Sequence, residues 1–447
     1  MIGYLLKIKL KTYLYALLLA CISFLIIYEF NLHNKIMRTS YHRDKENVPI
    51  LMWWTQFMAN DDNKELICAN NVKCIFTQNR KYFQDPNTAA FIFYGSNFIP
   101  YDLPLPRKKS DRWAILHEES PKNLGLFLHQ EAQELFNITS TFSRYSHFPI
   151  TLQYLSGLEA LTDRKYFIST ENKNTLLNHL SPVMYIQSDC VTPLERDSYV
   201  SELMQYLSVD SYGKCMNNKV LPEEFTKDPL QHLYSERFMS FVAQYKFTLA
   251  FENAVCDDYI TEKLWRPLIA GSVPIYIGSP TIQDWLPNNK SVIIASHFDS
   301  PRELADYILK LNSDDALYES YLQHKLSARV DNRKLVQSLR ERQWGIDETD
   351  SIHFIEAFEC FVCECVHQDI KLEIPNPNHY NCPVPISPIT REKNESNWWI
   401  NHWHDGKCQA RVLRNYLNDH TVRNFTKESF DNENRYKTPL INSFYCL

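Results

Sequence analysis

One stretch of the sequence, residues 246–278, predicts a strand, a loop, a helix and a second strand in that order. Phe247–Phe251 and Val273–Ile277 are short apolar runs rich in β-forming residues, and Tyr259–Ala270 between them is predicted to be a helix that Gly271 ends. This βαβ unit predicts an α/β fold for the chain. Ligands of such folds bind beyond the carboxyl ends of the strands, where the helix start offers free N–H groups to an anion. A diphosphate suits that position.

Three side chains near the start of this predicted helix share one face, because Tyr259, Glu262 and Lys263 are spaced i, i+3 and i+4. The Tyr259 ring suits a base, the Glu262 carboxylate suits ribose hydroxyls, and the Lys263 ammonium suits a phosphate. An ordinary exposed ion-pair face is the alternative. Asn253 in the preceding loop equally fits a turn role. Asp257 or Asp258 is predicted to cap the helix.

The segments FEN (Phe251–Asn253), DDYITEKLW and AGSVPIYIGSP resemble the donor-binding signature of the α-1,3-fucosyltransferases, glycosyltransferase family 10. The resemblance implies a GT-B architecture with two Rossmann-like domains facing a cleft. It also implies GDP-β-L-fucose as the donor and inverting transfer to an acceptor hydroxyl. The donor-site residues that it implies are Asn253, Tyr259, Glu262 and Lys263. YIQSDCVTPLERDSYV is similar to the segment that supplies an arginine to the pyrophosphate, here Arg196, with a surface arginine as the alternative.

The segment WAILHEESP, residues 113–121, resembles a second family motif, and the resemblance makes Glu119 the catalytic base. Inverting transfer needs one carboxylate to take a proton from the attacking hydroxyl. Glu118 is the adjacent competitor, but neighbours on an extended segment point to opposite sides, so only one of them faces the cleft. Without the resemblance, the sequence of residues 118–121 would predict a solvated loop.

Residues 368–447 extend the chain beyond the Cys-x-x-Cys of Cys360 and Cys363, and they are rich in proline, tryptophan and histidine. This extension resembles the branch formed by the tenth and eleventh α-1,3-fucosyltransferases of animals. That branch implies O-fucosylation of Ser or Thr in folded, disulfide-rich modules, with EMI domains as the candidate acceptor. Fucosylation of N-acetylglucosamine in N-glycans or lactosamine glycans is one alternative. A non-catalytic luminal binding or quality-control protein is the second.

No obligatory metal is predicted, because Arg196, Lys263 and a helix N-terminus can neutralise the diphosphate. The acidic pairs Asp257–Asp258 and Asp61–Asp62 leave stimulation by Mn²⁺ open. The net charge of −6 and the lack of a long basic stretch exclude nucleic-acid binding.

Near the amino terminus a nearly unbroken apolar run, Tyr13–Tyr28, follows three lysines and precedes Glu29. The flanking charges predict a single-pass type II membrane protein with a cytosolic tail (1–12), a signal anchor (13–30) and a stem (31–47). The run is slightly short for an average bilayer, which suits the endoplasmic reticulum or Golgi. A cleaved signal peptide is the alternative.

The cysteine content favours a luminal catalytic region, because eleven of the twelve cysteines follow the predicted anchor. Cys68 with Cys74 and a link within Cys360–Cys365 are plausible disulfides, and zinc binding by that cluster is the alternative. In the family, this Cys-x-x-Cys would be structural. Because these eleven cysteines are an odd number, at least one thiol stays free unless it forms a disulfide with another chain. Four sequons predict N-glycosylation at Asn137, Asn289, Asn394 and Asn424.

A chain of 447 residues is too long for one ordinary core. The predicted domains are an acceptor-side Rossmann-like domain (48–165), a GDP-fucose-binding Rossmann-like domain (166–358) and a Cys/Trp-rich extension (359–447). Further predicted elements are strands at Ile50–Phe57 and Ala89–Tyr94 and helices at Pro301–Asn312 and Asp314–Gln337.

Overall fold

The computed structural model of the chain describes residues 48–57, 63–226, 235–346, 352–418 and 425–437. The predicted α/β class is confirmed, since two sheets each carry helices on their faces. The first sheet has the order β2-β3-β1-β4-β5-β6, with β2 antiparallel at one edge and the other pairs parallel. Its strands are β1 (Ile50–Trp53), β2 (Lys64–Ile67), β3 (Lys73–Thr77), β4 (Thr88–Tyr94), β5 (Arg112–His117) and β6 (Ile138–Thr141).

The second sheet is parallel, in the order β11-β10-β9-β7-β8. Its strands are β7 (Val183–Gln187), β8 (Val209–Gly213), β9 (Phe247–Phe251), β10 (Val273–Ile277) and β11 (Ile293–Ile294). The two strands predicted from residues 246–278 have the predicted bounds, and they pair in parallel with Phe247 opposite Val273. Both strands are buried along their whole length, which explains why their sequences are continuous apolar runs.

The α-helices are α1 (Gln130–Gln133), α2 (Leu158–Thr162), α3 (Thr170–Leu176), α4 (Arg196–Leu203), α5 (Glu236–Ala243), α6 (Glu262–Ala270), α7 (Pro301–Ser313), α8 (Asp315–Glu319), α9 (Gln323–Leu326), α10 (Arg333–Glu341), α11 (Phe354–His367), α12 (Trp398–Asn418) and α13 (Lys427–Lys437). The helix predicted at Pro301 is confirmed, and Ser300 caps it by accepting from the Glu303 N–H. The single helix predicted at 314–337 is wrong. Three short helices occupy this stretch, because Ala328 adopts a left-handed φ of 50° and Asn332 caps a new start.

Segments from the carboxyl-terminal part of the chain cover both faces of the first sheet. Phe358 and Val362 of α11 pack with Leu51 and Trp53 on one face. On the other face, Val412 of α12 belongs to the same buried cluster as Met52 and Phe93. Because a parallel sheet must be buried on both faces, the extension completes the amino-terminal domain and does not form a separate core.

The extension packs closely against this domain at two glycines. A Cβ atom on Gly406 of α12 would lie 2.3 Å from the backbone of Gly125, so the helix can pack this tightly only without a side chain there.

Disulfides Cys68–Cys360 and Cys74–Cys363 join α11 to the β2–β3 hairpin of the first sheet. Cys256–Cys382 joins the extension to the loop after β9, and Cys190–Cys215 links the segments after β7 and β8. Cys408 is disulfide-bonded as well. The pairing expected between Cys68 and Cys74 is wrong, and so is the link expected within Cys360–Cys365, because Cys360 and Cys363 on successive turns of α11 pair with the two cysteines of the β2–β3 hairpin. Both sulfurs of the Cys-x-x-Cys are therefore in disulfides and offer no thiolate to zinc. Among the described cysteines, Cys365 is free, and it is buried.

Within the described parts of the chain, none of the helices combines the length and apolar character that a bilayer span requires. The predicted cytosolic tail (1–12), signal anchor (13–30) and stem (31–47) lie outside the described residues.

Arg144, in the loop after β6, joins the two domains through the buried carboxylate of Asp258. Its Nε donates to Asp258 Oδ2 at 2.8 Å, its Nη2 pairs with Oδ1, and its Nη1 contacts Asp284 at 2.5 Å. Thr281 and Trp285 also donate to Asp258, at 2.6 and 3.0 Å. Burial opposes the ionisation of Asp258, but these donors outweigh it and hold the pKa of Asp258 below its ordinary value.

Replacing Arg144 by alanine is expected to destabilise the protein by about 3–5 kcal/mol, because a fully buried carboxylate loses its cation. The free energy of unfolding in urea measures this change. Lys73→Ala is the matched control, since it removes an exposed ion pair with Glu65 and should cost less than about 1 kcal/mol. Equal effects of the two changes would show that the Arg144 contact does not hold the domains together.

Candidate active site

The two motifs that the sequence places far apart meet at the cleft between the domains. The loop after β5 carries Glu119 and Ser120, and the loop after β9 carries Asn253 and Tyr259. The Tyr259 hydroxyl donates to Glu119 Oε2 at 2.9 Å, and the Ser120 hydroxyl donates to Asn253 Oδ1 at 2.8 Å. Both loops leave the carboxyl ends of parallel strands, the edge at which α/β proteins bind ligands.

Glu118 and Glu119 have different surroundings although they are neighbours. Glu118 accepts a hydrogen bond from Tyr94 within its own domain, and burial raises its pKa. Glu119 is half-buried, reaches across to the second domain, and has no partner on Oε1 among the described residues. Of the two neighbours, Glu119 is therefore the one whose carboxylate contacts the loop of the second domain.

Helix α6 begins at Glu262, and Thr261 is its N-cap, with a side-chain oxygen that accepts from the Lys263 N–H. The predicted helix start at Tyr259, and the predicted cap at Asp257 or Asp258, are therefore wrong. Asp258 has a left-handed φ of 62°, which no helix can continue. Tyr259 consequently does not share a helix face with Glu262 and Lys263. Its ring is buried against Phe142, with centroids 5.0 Å apart, and this placement leaves no face for a base.

Glu252, the last residue before this loop, holds the helix start in place. Its fully buried carboxylate accepts from the N–H and the hydroxyl of Thr261, both at 2.8 Å, and lies 3.7 Å from Lys263 Nζ. Burial raises the pKa of Glu252 to about 7. A Cβ atom on Gly278 would lie 2.6 Å from Glu252 Cγ, so glycine is required beside it. Glu252 is not among the site residues predicted from the sequence. The available signal was a carboxylate at the end of an apolar strand, where a charge needs partners.

Two cationic side chains, Lys263 and Arg196, lie near these carboxylates. Burial lowers the pKa of Lys263, but Glu262 at 3.3 Å and Glu252 outweigh this effect, so its pKa is raised and the ammonium stays charged. The charges of Arg196 and Glu119 also act on this pKa, which places both within electrostatic range of Lys263.

Arg196 is buried at the start of α4, so the surface-arginine alternative is wrong. It donates to the carbonyl oxygens of Phe251 at 3.1 Å and Asp189 at 2.5 Å. Its Nε is buried without a hydrogen-bond partner among the described residues.

A cavity of about 440 Å³ opens beside the start of α6. Gln187 and Gly213, at the carboxyl ends of β7 and β8, line one side of it. Glu262, Lys263 and Arg266 line the other side. This cavity combines a carboxylate, cations and a helix N-terminus, a set that suits a ribose and a phosphate.

The acidic pair Asp257–Asp258 is committed to protein groups. Asp258 pairs with Arg144, and Asp257 accepts from the Asn381 side-chain amide. The other acidic pair, Asp61–Asp62, lies outside the described residues.

The predicted glycosylation sites differ in their surroundings. Asn137 and Asn289 are exposed, and Asn424 lies outside the described residues. The Asn394 side-chain amide nitrogen, the atom that a glycan would join, donates to Glu195 at 2.6 Å. Glycosylation remains a prediction at all four positions.

Two family models match the chain. Glycosyltransferase family 10 (fucosyltransferase) C-term matches residues 176–373, and Fucosyltransferase, N-terminal matches residues 45–154. The chain belongs to glycosyltransferase family 10. The resemblance of its motifs to this family is thus confirmed. Glu119 lies in the amino-terminal match, and the other proposed site residues lie in the carboxyl-terminal match.

Curated relatives are similar over most of the chain and carry the name GDP-fucose protein O-fucosyltransferase 3. The Xenopus laevis protein is 45% identical over 402 residues, covering 87% of this chain and 84% of the relative. The Homo sapiens protein is 45% identical over 400 residues, covering 86% and 82%. The Gallus gallus protein is 44% identical over 401 residues, covering 87% and 83%.

Solved structures of α1,3-fucosyltransferases are similar at much lower identity. One is 16% identical with a TM-score of 0.41 and covers 74% of this chain and 92% of that chain. Another, solved with GDP-fucose, is 16% identical with a TM-score of 0.38 and covers 67% and 83%.

The raised pKa of Glu252 predicts a pH dependence of stability. A carboxyl group whose pKa is about 7 in the folded chain, against an ordinary 4.5, stabilises the fold fully below pH 4.5. This contribution, about 3 kcal/mol, is lost as the pH rises through 7. In Glu252→Gln this loss should be absent, because the side chain does not titrate. Unfolding free energies of both proteins at pH 4.5, 6 and 8 measure the difference, and a constant difference would show that Glu252 does not titrate in this range.

Proposed function

We propose that this chain transfers L-fucose from GDP-β-L-fucose, with inversion, to a Ser or Thr hydroxyl of a folded, disulfide-rich protein module, with EMI domains as the favoured acceptor. The observation that supports the proposal most directly is the contact between the Tyr259 hydroxyl and Glu119 Oε2, which brings the amino-terminal motif to the donor-side loop. Family membership supports the sugar, and the names of the relatives support a protein acceptor.

The donor nucleotide occupies the 440 Å³ cavity in this proposal. Glu262 accepts hydrogen bonds from the ribose hydroxyls, and Lys263 faces the diphosphate. Arg196 and Asn253 do not line this cavity. Arg196 acts on the diphosphate through its charge from its buried position, and Asn253, in the loop after β9, contacts the sugar or the phosphate next to it in this proposal. Tyr259 acts through its hydroxyl on Glu119 and not by stacking on the base.

Glu119 is the general base in the proposed reaction. The acceptor hydroxyl gives its proton to Glu119 as its oxygen forms a bond to the anomeric carbon of fucose. The bond from that carbon to the GDP oxygen breaks on the opposite face, and the electron pair leaves with GDP. Lys263, Arg196 and the N–H groups at the start of α6 neutralise the added charge on the diphosphate. The proposal therefore needs no obligatory metal.

Glu119→Gln is expected to lower kcat by roughly 100-fold to 10,000-fold, because the amide cannot accept the proton. GDP-fucose affinity should change little. Glu118→Gln is the matched control, since this neighbour bonds to Tyr94 away from the cleft. Transfer rates measured from GDP release and product mass test both variants. Full activity of Glu119→Gln would remove Glu119 from the reaction.

The proposed setting is the endoplasmic reticulum or Golgi, with a single-pass type II anchor and a luminal catalytic region of GT-B architecture. The apolar run at Tyr13–Tyr28 and its lysine flank support the anchor. The four disulfides support an oxidising lumen. The two α/β sheets, with the candidate site between their carboxyl edges, support the architecture.

The proposed acceptor is tested by giving the purified luminal region GDP-fucose with two acceptors in parallel: a folded EMI module and a lactosamine glycan. We expect a deoxyhexose mass gain on the folded module that disappears when the module is unfolded. A gain on the glycan alone would establish glycan fucosylation instead, and no gain on either would favour a non-catalytic binding protein. Repeating the reaction in a chelator tests metal dependence. Complete loss of transfer with rescue by Mn²⁺ would overturn the metal-free mechanism.

A further inference from the structure

A second and larger cavity, of about 610 Å³, lies at the same edge of the second sheet. Several parts of the chain line it, and three of them connect it to the candidate site or to the extension. Pro121 and Lys122 follow Glu119 by two and three residues, and residues 254–256 directly follow Asn253. The extension supplies the third wall through residues 382–388, Trp399 and Trp403. The loops that carry the proposed base and the donor contact therefore continue directly into this cavity.

The walls of this cavity are mostly apolar. Proline and aliphatic side chains dominate the lining: Pro121, Pro193, Pro280, Pro383, Pro385, Leu128, Leu194, Val255, Ile282 and Val384. The charge of Lys122 is already paired with Asp189. Polar side chains, among them Gln283, His297 and His402, are fewer on these walls. The apolar walls suit apolar side chains of a protein acceptor.

Large apolar side chains continue from this cavity onto the protein surface. Ile386, on the lining, is 51% exposed, and Trp398 is also 51% exposed. Trp398 stacks on Trp399 of the cavity wall, with ring centroids 4.0 Å apart. An exposed tryptophan and isoleucine beside an apolar recess are typical of protein-binding surfaces.

The disulfide Cys256–Cys382 holds this surface against the site. It joins the loop after Asn253 to the first residue of the extension wall. The wall is also held internally, since the Ser387 hydroxyl accepts from the backbone N–H groups of Ile389 and Thr390. A surface fixed in this way loses little conformational entropy when a partner binds.

We propose that the 610 Å³ cavity, with Ile386 and Trp398 at its rim, is the docking surface for the acceptor protein. It receives apolar side chains of the folded module that flank the target Ser or Thr, and so presents that hydroxyl to Glu119. This inference rests on the proposed function. It assigns the extension a role in selecting proteins over glycans, because a lone lactosamine offers no apolar side chains to the cavity.

The test compares Ile386→Glu and Trp398→Ala with the parent. Both residues are half-exposed, so the variants should fold. We expect the KM for the folded EMI module to rise roughly tenfold in each, as for other central interface residues. The KM for GDP-fucose and the slow release of GDP without acceptor should not change. Ile374→Glu is the matched control, because Ile374 is 72% exposed and does not line the cavity.

Three outcomes would overturn the docking proposal. One is an unchanged acceptor KM in both variants while the parent modifies the module. Another is an equal fall in the rate of GDP release, which would assign these residues to donor binding or to the fold. The third is a dimer, seen by sedimentation, that Ile386→Glu dissociates, which would assign the surface to self-association. The failure of the proposed function itself would be visible in the parent, which would then modify no folded module.

Discussion

The buried carboxylate of Asp258 is the interaction on which the rest of the site depends. It is fully excluded from solvent, and an arginine from the other domain and two donors from its own domain satisfy it. Asp258 also occupies the turn between Asn253 and Thr261, so its fixation sets the course of that loop. The domain interface and the site loop are therefore stabilised by the same group, and one cannot move without the other.

The charged groups around the candidate site differ in burial and in their partners. Glu252 is buried and binds the cap of α6, Lys263 is kept charged by two carboxylates, and Glu119 reaches the cleft half-exposed. Each buried charge has a partner, as its desolvation demands. The less buried Glu119 keeps one oxygen without a partner among the described residues. In the proposed reaction, this difference separates the base from the carboxylates that only position other groups.

The carboxyl-terminal extension is part of the amino-terminal domain in physical terms. Helices α11 and α12 cover opposite faces of the first sheet, and disulfides attach the extension at both sheets. Its tryptophans fall into two groups: Trp399 and Trp403 line a cavity, and Trp398 is half-exposed beside them. Deleting the extension would thus expose the core of the first domain as well as remove the surface that we assign to the acceptor.

The sequence by itself determined the family and many of the local elements, and its motifs led to the proposed site residues. β9, β10 and the end of α6 at Gly271 follow from patterns within a few residues, and the motifs carry Glu119, Asn253 and Lys263. The tertiary structure decided the disulfide partners, since Cys68 and Cys360 are 292 residues apart. It also decided the start of α6 and the burial of Tyr259, because Arg144, more than a hundred residues earlier, fixes Asp258 in a turn. Secondary-structure propensity depends on residues that are neighbours along the chain. Burial and charge pairing depend on groups that come together only when the chain folds.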